Sequence, residues 1–133
     1  IQKHSENALA LATWLEAQEE VAWVNYPGLA SSKYKKLADK YLPNGQSGVV
    51  TFGAKGGFDA AKAIADNVKI FSLLANIGDT KSLIIHPAST THQQLSEDQQ
   101  ADAGVANDLI RLSVGLENIE DLKEDLIAAF SKI

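Results

Sequence analysis

A chain of 133 residues with 45% hydrophobic and 22% charged residues can bury one core of ordinary size without staples. Its net charge of -5 and a pI near 5.1, with scattered lysines, argue against nucleic acid and anionic membrane as partners. The absence of cysteine excludes a disulfide framework, a thiol nucleophile and Cys-ligated zinc.

No apolar run approaches the roughly 18 residues a transmembrane helix needs, and no secretory leader is visible. The expectation is a soluble, cytoplasmic protein. The chain contains no methionine and opens on the large residue Ile1 with a helical pattern already under way. Residue 1 is therefore expected to be a boundary inside a longer protein.

Helical periodicity runs over 3–20, with Ala8, Leu9, Ala12 and Leu15 on one face, widened by Leu11 and Trp14. VAWVN at 21–25 reads as a strand, closed by the turn Tyr26-Pro27-Gly28. A lysine-rich helix is expected over 31–42, stopped by Pro43-Asn44-Gly45. GVVTFG at 48–53 predicts a buried strand, 57–67 a helix, and 68–74 a strand or extended segment. SLIIH at 82–86 is a further strand. Ser96 and Gln99 have capping-box spacing for a short helix that Gly104 can end. LIRLSVG at 109–115 is the last strand. Asn118 caps the final helix, whose apolar stripe is Ile119, Leu122, Leu126, Ile127 and Phe130. The pattern predicts one α/β domain, 1–133, with a small mixed or mainly antiparallel sheet of four to five strands covered by helices.

Arg111 is the most informative residue. Lys and Arg together number 12, and Arg111 is the one arginine, leaving 11 lysines. Alternation puts Ile110, Leu112 and Val114 on one face of the last strand, with Leu109, Arg111 and Ser113 on the other. A guanidinium in an apolar strand is costly unless it meets an anion, and its fork binds a carboxylate through two parallel hydrogen bonds. Spacing alone leaves three readings open: an anion site, an edge-strand gatekeeper and an internal salt bridge.

Segment 76–92 gathers hydroxyl and imidazole groups around a short strand. His86 and His92 lack further ligands for zinc, so no metal is expected. Ser89 with either histidine could suggest a hydrolase, but the G-x-S-x-G elbow is missing. Ser89 and Thr90 read as hydroxyls satisfying a loop backbone. GAKGG at 53–57 lacks phosphate-loop spacing and reads as a strand-to-helix turn. The acidic pairs Glu19-Glu20, Glu120-Asp121 and Glu124-Asp125 read as solvated surface.

The runs ANIGDTKSLIIHPASTTH (75–92) and IRLSVGLENIEDLKEDL (110–126) resemble the C-terminal domain of the Cys/Met-metabolism enzymes that use pyridoxal phosphate. The opening QKHSENALALATWL and VNYPGL at 24–29 resemble the same family, so the likeness covers essentially the whole chain. It implies the C-terminal domain of a fold-type I pyridoxal-phosphate enzyme. Arg111, in the R-x-S-x-G-x-E run, would bind the substrate α-carboxylate, with Asn76 and Thr91 beside it. The run N-x-G-D-x-K-S followed by S-T-T-H is similar to the O-acetylhomoserine sulfhydrylases. Thr80 departs from the small residue more usual there.

The family's cofactor lysine, ring-stacking tyrosine and phosphate-cup residues would lie upstream, so no catalytic and no cofactor-binding residue is expected in this chain. The parent reaction implied is γ-replacement in methionine biosynthesis. The cofactor serves as electron sink, acetate leaves O-acetylhomoserine and sulfide adds, giving homocysteine. The parent would be a homotetramer and the piece alone inert. Alternatives are cystathionine γ-synthase, cystathionine γ-lyase or methionine γ-lyase of the same family, or a non-catalytic α/β interaction module.

Overall fold

The computed structural model describes all 133 residues. A five-stranded sheet runs in the order β1 (Val21–Asn25), β2 (Val49–Ala54), β5 (Leu109–Ser113), β4 (Leu83–Ile85) and β3 (Ser72–Leu73). All neighbours are antiparallel except β3 and β4, so the sheet is mixed, as the sequence predicts.

Three helices cover one face: α1 (Gln2–Glu16), α3 (Gly57–Asn67) and α5 (Ile119–Phe130). They pack against each other and against β1, β2 and β5. Val50 and Phe52 of β2, Ile110 and Leu112 of β5, Ile84 of β4 and the following Val114 are all fully buried in the core beneath them. The strand alternation read from the sequence is therefore correct for β5. Two short helices, α2 (Lys35–Tyr41) and α4 (Glu97–Asp102), lie on connections.

Local chemistry sets the ends of these elements. Ser96 and Gln99 form the expected capping box at α4, and Gly104 follows it at φ +75°. Asn118 Oδ1 accepts from Glu120 N at 2.8 Å to cap α5, whose first turn carries Glu120 and Asp121. Gly56 and Gly57 take φ of +102° and +73°, so GAKGG is the expected strand-to-helix turn.

Several boundaries differ from expectation. α1 stops at Glu16 because Gln18 folds back, its side-chain amide donating to Trp14 O at 2.9 Å. α2 begins only at Lys35, because the Ser32 hydroxyl takes the Tyr34 N–H and successive tight turns hold 29–35. In place of a strand over 68–74, only Ser72–Leu73 pairs.

The reason is Asp125, one of the acidic residues expected to be solvated. It is 7% exposed and accepts backbone N–H bonds from Lys69 (2.7 Å), Ile70 (2.8 Å) and Phe71 (3.1 Å). Those three amides are thus taken by a carboxylate instead of a strand partner.

The helix faces are also rotated from the apolar stripes. Leu9 is 39% and Ile127 52% exposed, while His4 and Asn7 extend the buried face of α1. Polar groups fill these buried positions because each has a backbone partner across the fold.

Tyr26, from the turn after β1, is fully buried and its hydroxyl donates to Ser47 O at 2.9 Å. Burial pushes its pKa from 10.0 up to about 12. The folded state thus holds the proton after the unfolded chain has lost it. This contribution is complete below pH 10 and disappears as the pH rises from 10 towards 12. Melting temperature measured over that window should fall more steeply for the native sequence than for Tyr26→Phe, which has no phenol to ionise.

Candidate functional site

Arg111 stands on the middle strand of the sheet, across from Thr51 on β2 and Ile85 on β4. It points to the face opposite the three long helices. This placement rules out the edge-strand gatekeeper. No salt bridge in the chain involves Arg111; the three ion pairs present are Lys35–Asp39, Lys62–Asp66 and Lys123–Glu120. The internal salt bridge is ruled out as well.

Of its five N–H donors, one bonds inside the chain, from Nη2 to the carbonyl of Asn76 at 2.8 Å. Nε is buried and has no partner. A buried charged donor left unpaired costs about 1–3 kcal/mol or more, so this guanidinium is built to receive further acceptors. A groove lined by Asn25, Tyr34, Leu42, Ser47, Val49 and Thr51 adjoins it, sharing the residue directly across from Arg111.

The structure brings Asn76 to Arg111 through its main chain. The Asn76 side chain turns inward on its own loop, with Oδ1 accepting from Ile77 N at 2.9 Å. That loop, 74–81, is bolted to the end of β5. Leu116 N donates to Thr80 O at 2.8 Å, and Gly115 N donates to Ser82 Oγ at 2.8 Å. Glu117 accepts from both Ser82 N and Ser82 Oγ, each at 2.7 Å. From the other side Asn7 donates to Gly115 O (3.0 Å) and Glu117 O (2.9 Å), and His4 Nδ1 donates to Val114 O (2.7 Å).

The second motif is a buttress. His86 is 1% exposed; Nε2 donates to Asn107 O at 2.7 Å, so in the neutral ring Nδ1 accepts from Ser89 Oγ at 2.8 Å. Phe58 packs edge-on against the ring at 4.8 Å. The Thr90 hydroxyl bonds His86 O at 2.8 Å. His86 is closed off from solvent and its second nitrogen is committed to a main-chain carbonyl with no carboxylate behind it, which favours a structural link over the hydrolase reading. Thr91 is exposed, its Oγ1 sharing a 2.8 Å hydrogen bond with His92 Nδ1 and none with Arg111 or Asn76. No group of three His, Asp or Glu residues is placed to hold a metal ion.

The sequence model of the Cys/Met metabolism PLP-dependent enzymes matches residues 1–131. The chain belongs to that family. It is 53% identical over 98% of its length to O-acetyl-L-homoserine sulfhydrylase 1 of Thermus thermophilus, covering 31% of that protein. It is 52% identical over its whole length to the O-acetyl-L-homoserine sulfhydrylase of Leptospira meyeri, covering 30% of it.

Among solved structures, a Campylobacter jejuni chain assigned as an O-acetylhomoserine (thiol)-lyase superposes with a TM-score of 0.91 at 49% identity. The match covers 98% of this chain and 31% of that one, which carries N'-pyridoxyl-lysine-5'-monophosphate. The chain thus spans about a third of the length of the relatives it matches. Pyridoxal phosphate is the cofactor of the family, and the lysine motif that holds it is not in this sequence.

For this family member the tightest spot of the site is Gly115. A Cβ there would stand 2.3 Å from Thr80 O and 2.6 Å from Ser82 N, both main-chain atoms that cannot swing away. Gly115→Ala should therefore push loop 74–81 off β5. The expected result is a drop in thermal stability of at least about 2 kcal/mol equivalent, with hydrogen exchange rising first at Thr80–Ser82.

Proposed function

We propose that residues 1–133 form the substrate-carboxylate-binding, C-terminal domain of an O-acetylhomoserine sulfhydrylase. The parent would make homocysteine from O-acetylhomoserine and sulfide. The observation that carries this reading is Arg111, the chain's single arginine. It sits on the central strand without an internal carboxylate and has a buried Nε in want of an acceptor. The sulfhydrylases among the relatives, at 53% and 52% identity, support the choice of substrate. So does the N-x-G-D-x-K-S run at 76–82.

In the parent, pyridoxal phosphate held by an upstream domain supplies the electron sink for γ-replacement. This chain's residues hold the substrate still. Arg111 takes the α-carboxylate on its fork, and the Asn76 segment lines the same spot. Thr91 is assigned to the same substrate site from its place in the H-P-A-S-T-T-H run at 86–92. Fixing one end of the substrate this way converts binding into orientation of its reactive end. The parent works on this reading as a cytoplasmic homotetramer. Tyr34, Leu37, Tyr41 and Leu42, clustered and 46–65% exposed on and around α2, are apolar surface such an assembly would cover.

Arg111→Lys in the full-length parent keeps the charge but loses one prong of the fork. A charged hydrogen bond contributes roughly 1.5–3 kcal/mol, so kcat/KM for O-acetylhomoserine should fall about ten- to a hundredfold. The cofactor's visible absorbance should be unchanged. Unaltered kcat/KM would reduce Arg111 to a structural residue, and lost absorbance would move it from substrate to cofactor or folding. The isolated chain, mixed with pyridoxal phosphate, O-acetylhomoserine and sulfide, should release no homocysteine. It should also retain no coloured adduct after dialysis.

A further inference from the structure

We propose that Glu117 is a positioning residue for Arg111, acting through Ser82 on the loop that presents the Asn76 carbonyl to the guanidinium. The inference rests on the reading of Arg111 as the carboxylate site. Loop residues 74–78 are all exposed, so packing does not hold them. The loop leaves the sheet after β3, where the Ser72 N–H bonds Ser82 O at 3.0 Å, and returns through Thr80 to Ser82. The position of Asn76 O, 2.8 Å from Arg111 Nη2, therefore depends on how firmly these two ends are held.

Ser82 is fully buried and is the common point of both ends. Its N–H and its hydroxyl both donate to the Glu117 carboxylate at 2.7 Å, and its hydroxyl oxygen accepts from Gly115 N at 2.8 Å. The arrangement uses two acceptor oxygens on one side chain, which a carboxylate offers and an amide does not. A glutamine would aim its NH2 at one of the two donors of Ser82, leaving that hydrogen without an acceptor. Glu117 in turn has its own carbonyl held by Asn7 at 2.9 Å. A line of hydrogen bonds thus runs from the first helix to Ser82 and Ser72, and the intervening chain carries it to Asn76 O and the guanidinium. Such a line fixes a charged group to the few tenths of an ångström that orientation requires.

The test compares Glu117→Gln, Ser82→Ala, Arg111→Lys and the Arg111→Lys/Glu117→Gln double variant in the full-length enzyme. Inhibition constants are measured for homoserine, which carries the α-carboxylate, and for homoserinamide, which does not. Glu117→Gln should raise the constant for homoserine roughly tenfold and leave that for homoserinamide unaltered, with cofactor absorbance intact. In the Arg111→Lys background the same substitution should add nothing further, because the guanidinium it positions is gone.

An equal effect on both inhibitors, or an undiminished effect beside Arg111→Lys, would make Glu117 a purely structural residue and overturn the proposal. If Arg111→Lys itself leaves the homoserine constant unchanged, the carboxylate reading fails, a result separate from failure of the Glu117 link. Should Glu117→Gln not accumulate, Ser82→Ala carries the question. It should give a smaller, about threefold rise for homoserine alone, and an unchanged constant would overturn the link.

Discussion

A guanidinium in the middle of a β-sheet sets the terms for the rest of this domain. Arg111 has sheet hydrogen-bonding partners on both sides, so its strand cannot drift. Its side chain is half-buried, with Nε cut off from solvent and from protein acceptors. Desolvating such a donor is unfavourable, and the one protein acceptor the guanidinium has, the carbonyl of Asn76, is taken by Nη2 and leaves Nε unserved. A fully stabilised arginine would be surrounded by carboxylates; this one is held in place and left short of acceptors. Stability is given up at the one position where, on the proposed reading, an anion would bind.

The polar residues around it divide into one group at the site and several that hold the frame. Asp125 takes three backbone amides of the segment leading to β3, and Glu117 takes Ser82. His86 bridges Ser89 and Asn107. Each of these side chains pairs with at least one group twenty or more residues away, and each is satisfied. Arg111 is the exception among buried polar side chains, since its Nε is the one buried side-chain donor without a partner. That contrast separates Arg111, the candidate binding residue, from the structural ones more sharply than residue type does. Histidine and serine are common in active sites, yet here His86 and Ser89 serve each other.

Sequence periodicity made the frame legible where burial is apolar. The alternation of Ile110, Leu112 and Val114 against Arg111 and Ser113 read the inner face of β5 correctly, and the Ser96–Gln99 capping box formed as its spacing predicts. It failed where a polar side chain occupies a core-facing position. His4 and Asn7 continue the buried stripe of α1, which the apolar pattern assigned in part to Leu9. Asp125 looked solvated because it follows Glu124 in a polar run, and nothing local shows that three amides over fifty residues away converge on it. Glu117 was visible only as a letter in a motif. Its partner Ser82 is 35 residues upstream, and no period in the sequence encodes that separation.

The asymmetry of the sheet follows from the same arginine. A sheet of this size normally buries at least one face, and here α1, α3 and α5 do so over an apolar surface with Val50, Phe52, Ile84, Ile110 and Leu112 at its centre. A fourth long helix laid across the other face would seal Arg111 beneath it, and an apolar helix face has no acceptors to offer. Loops can supply them, because their carbonyls are not committed to a helix or ladder. The face carrying Arg111 accordingly meets loop 74–81, through Asn76, and borders a groove lined by Asn25, Ser47 and Thr51. The irregular segment between β3 and β4 is thus the cover that a charged sheet face can accept. Its exposure is a consequence of serving the guanidinium with backbone oxygen, and it explains why the anchors at Thr80, Ser82 and Glu117 are needed to hold it there.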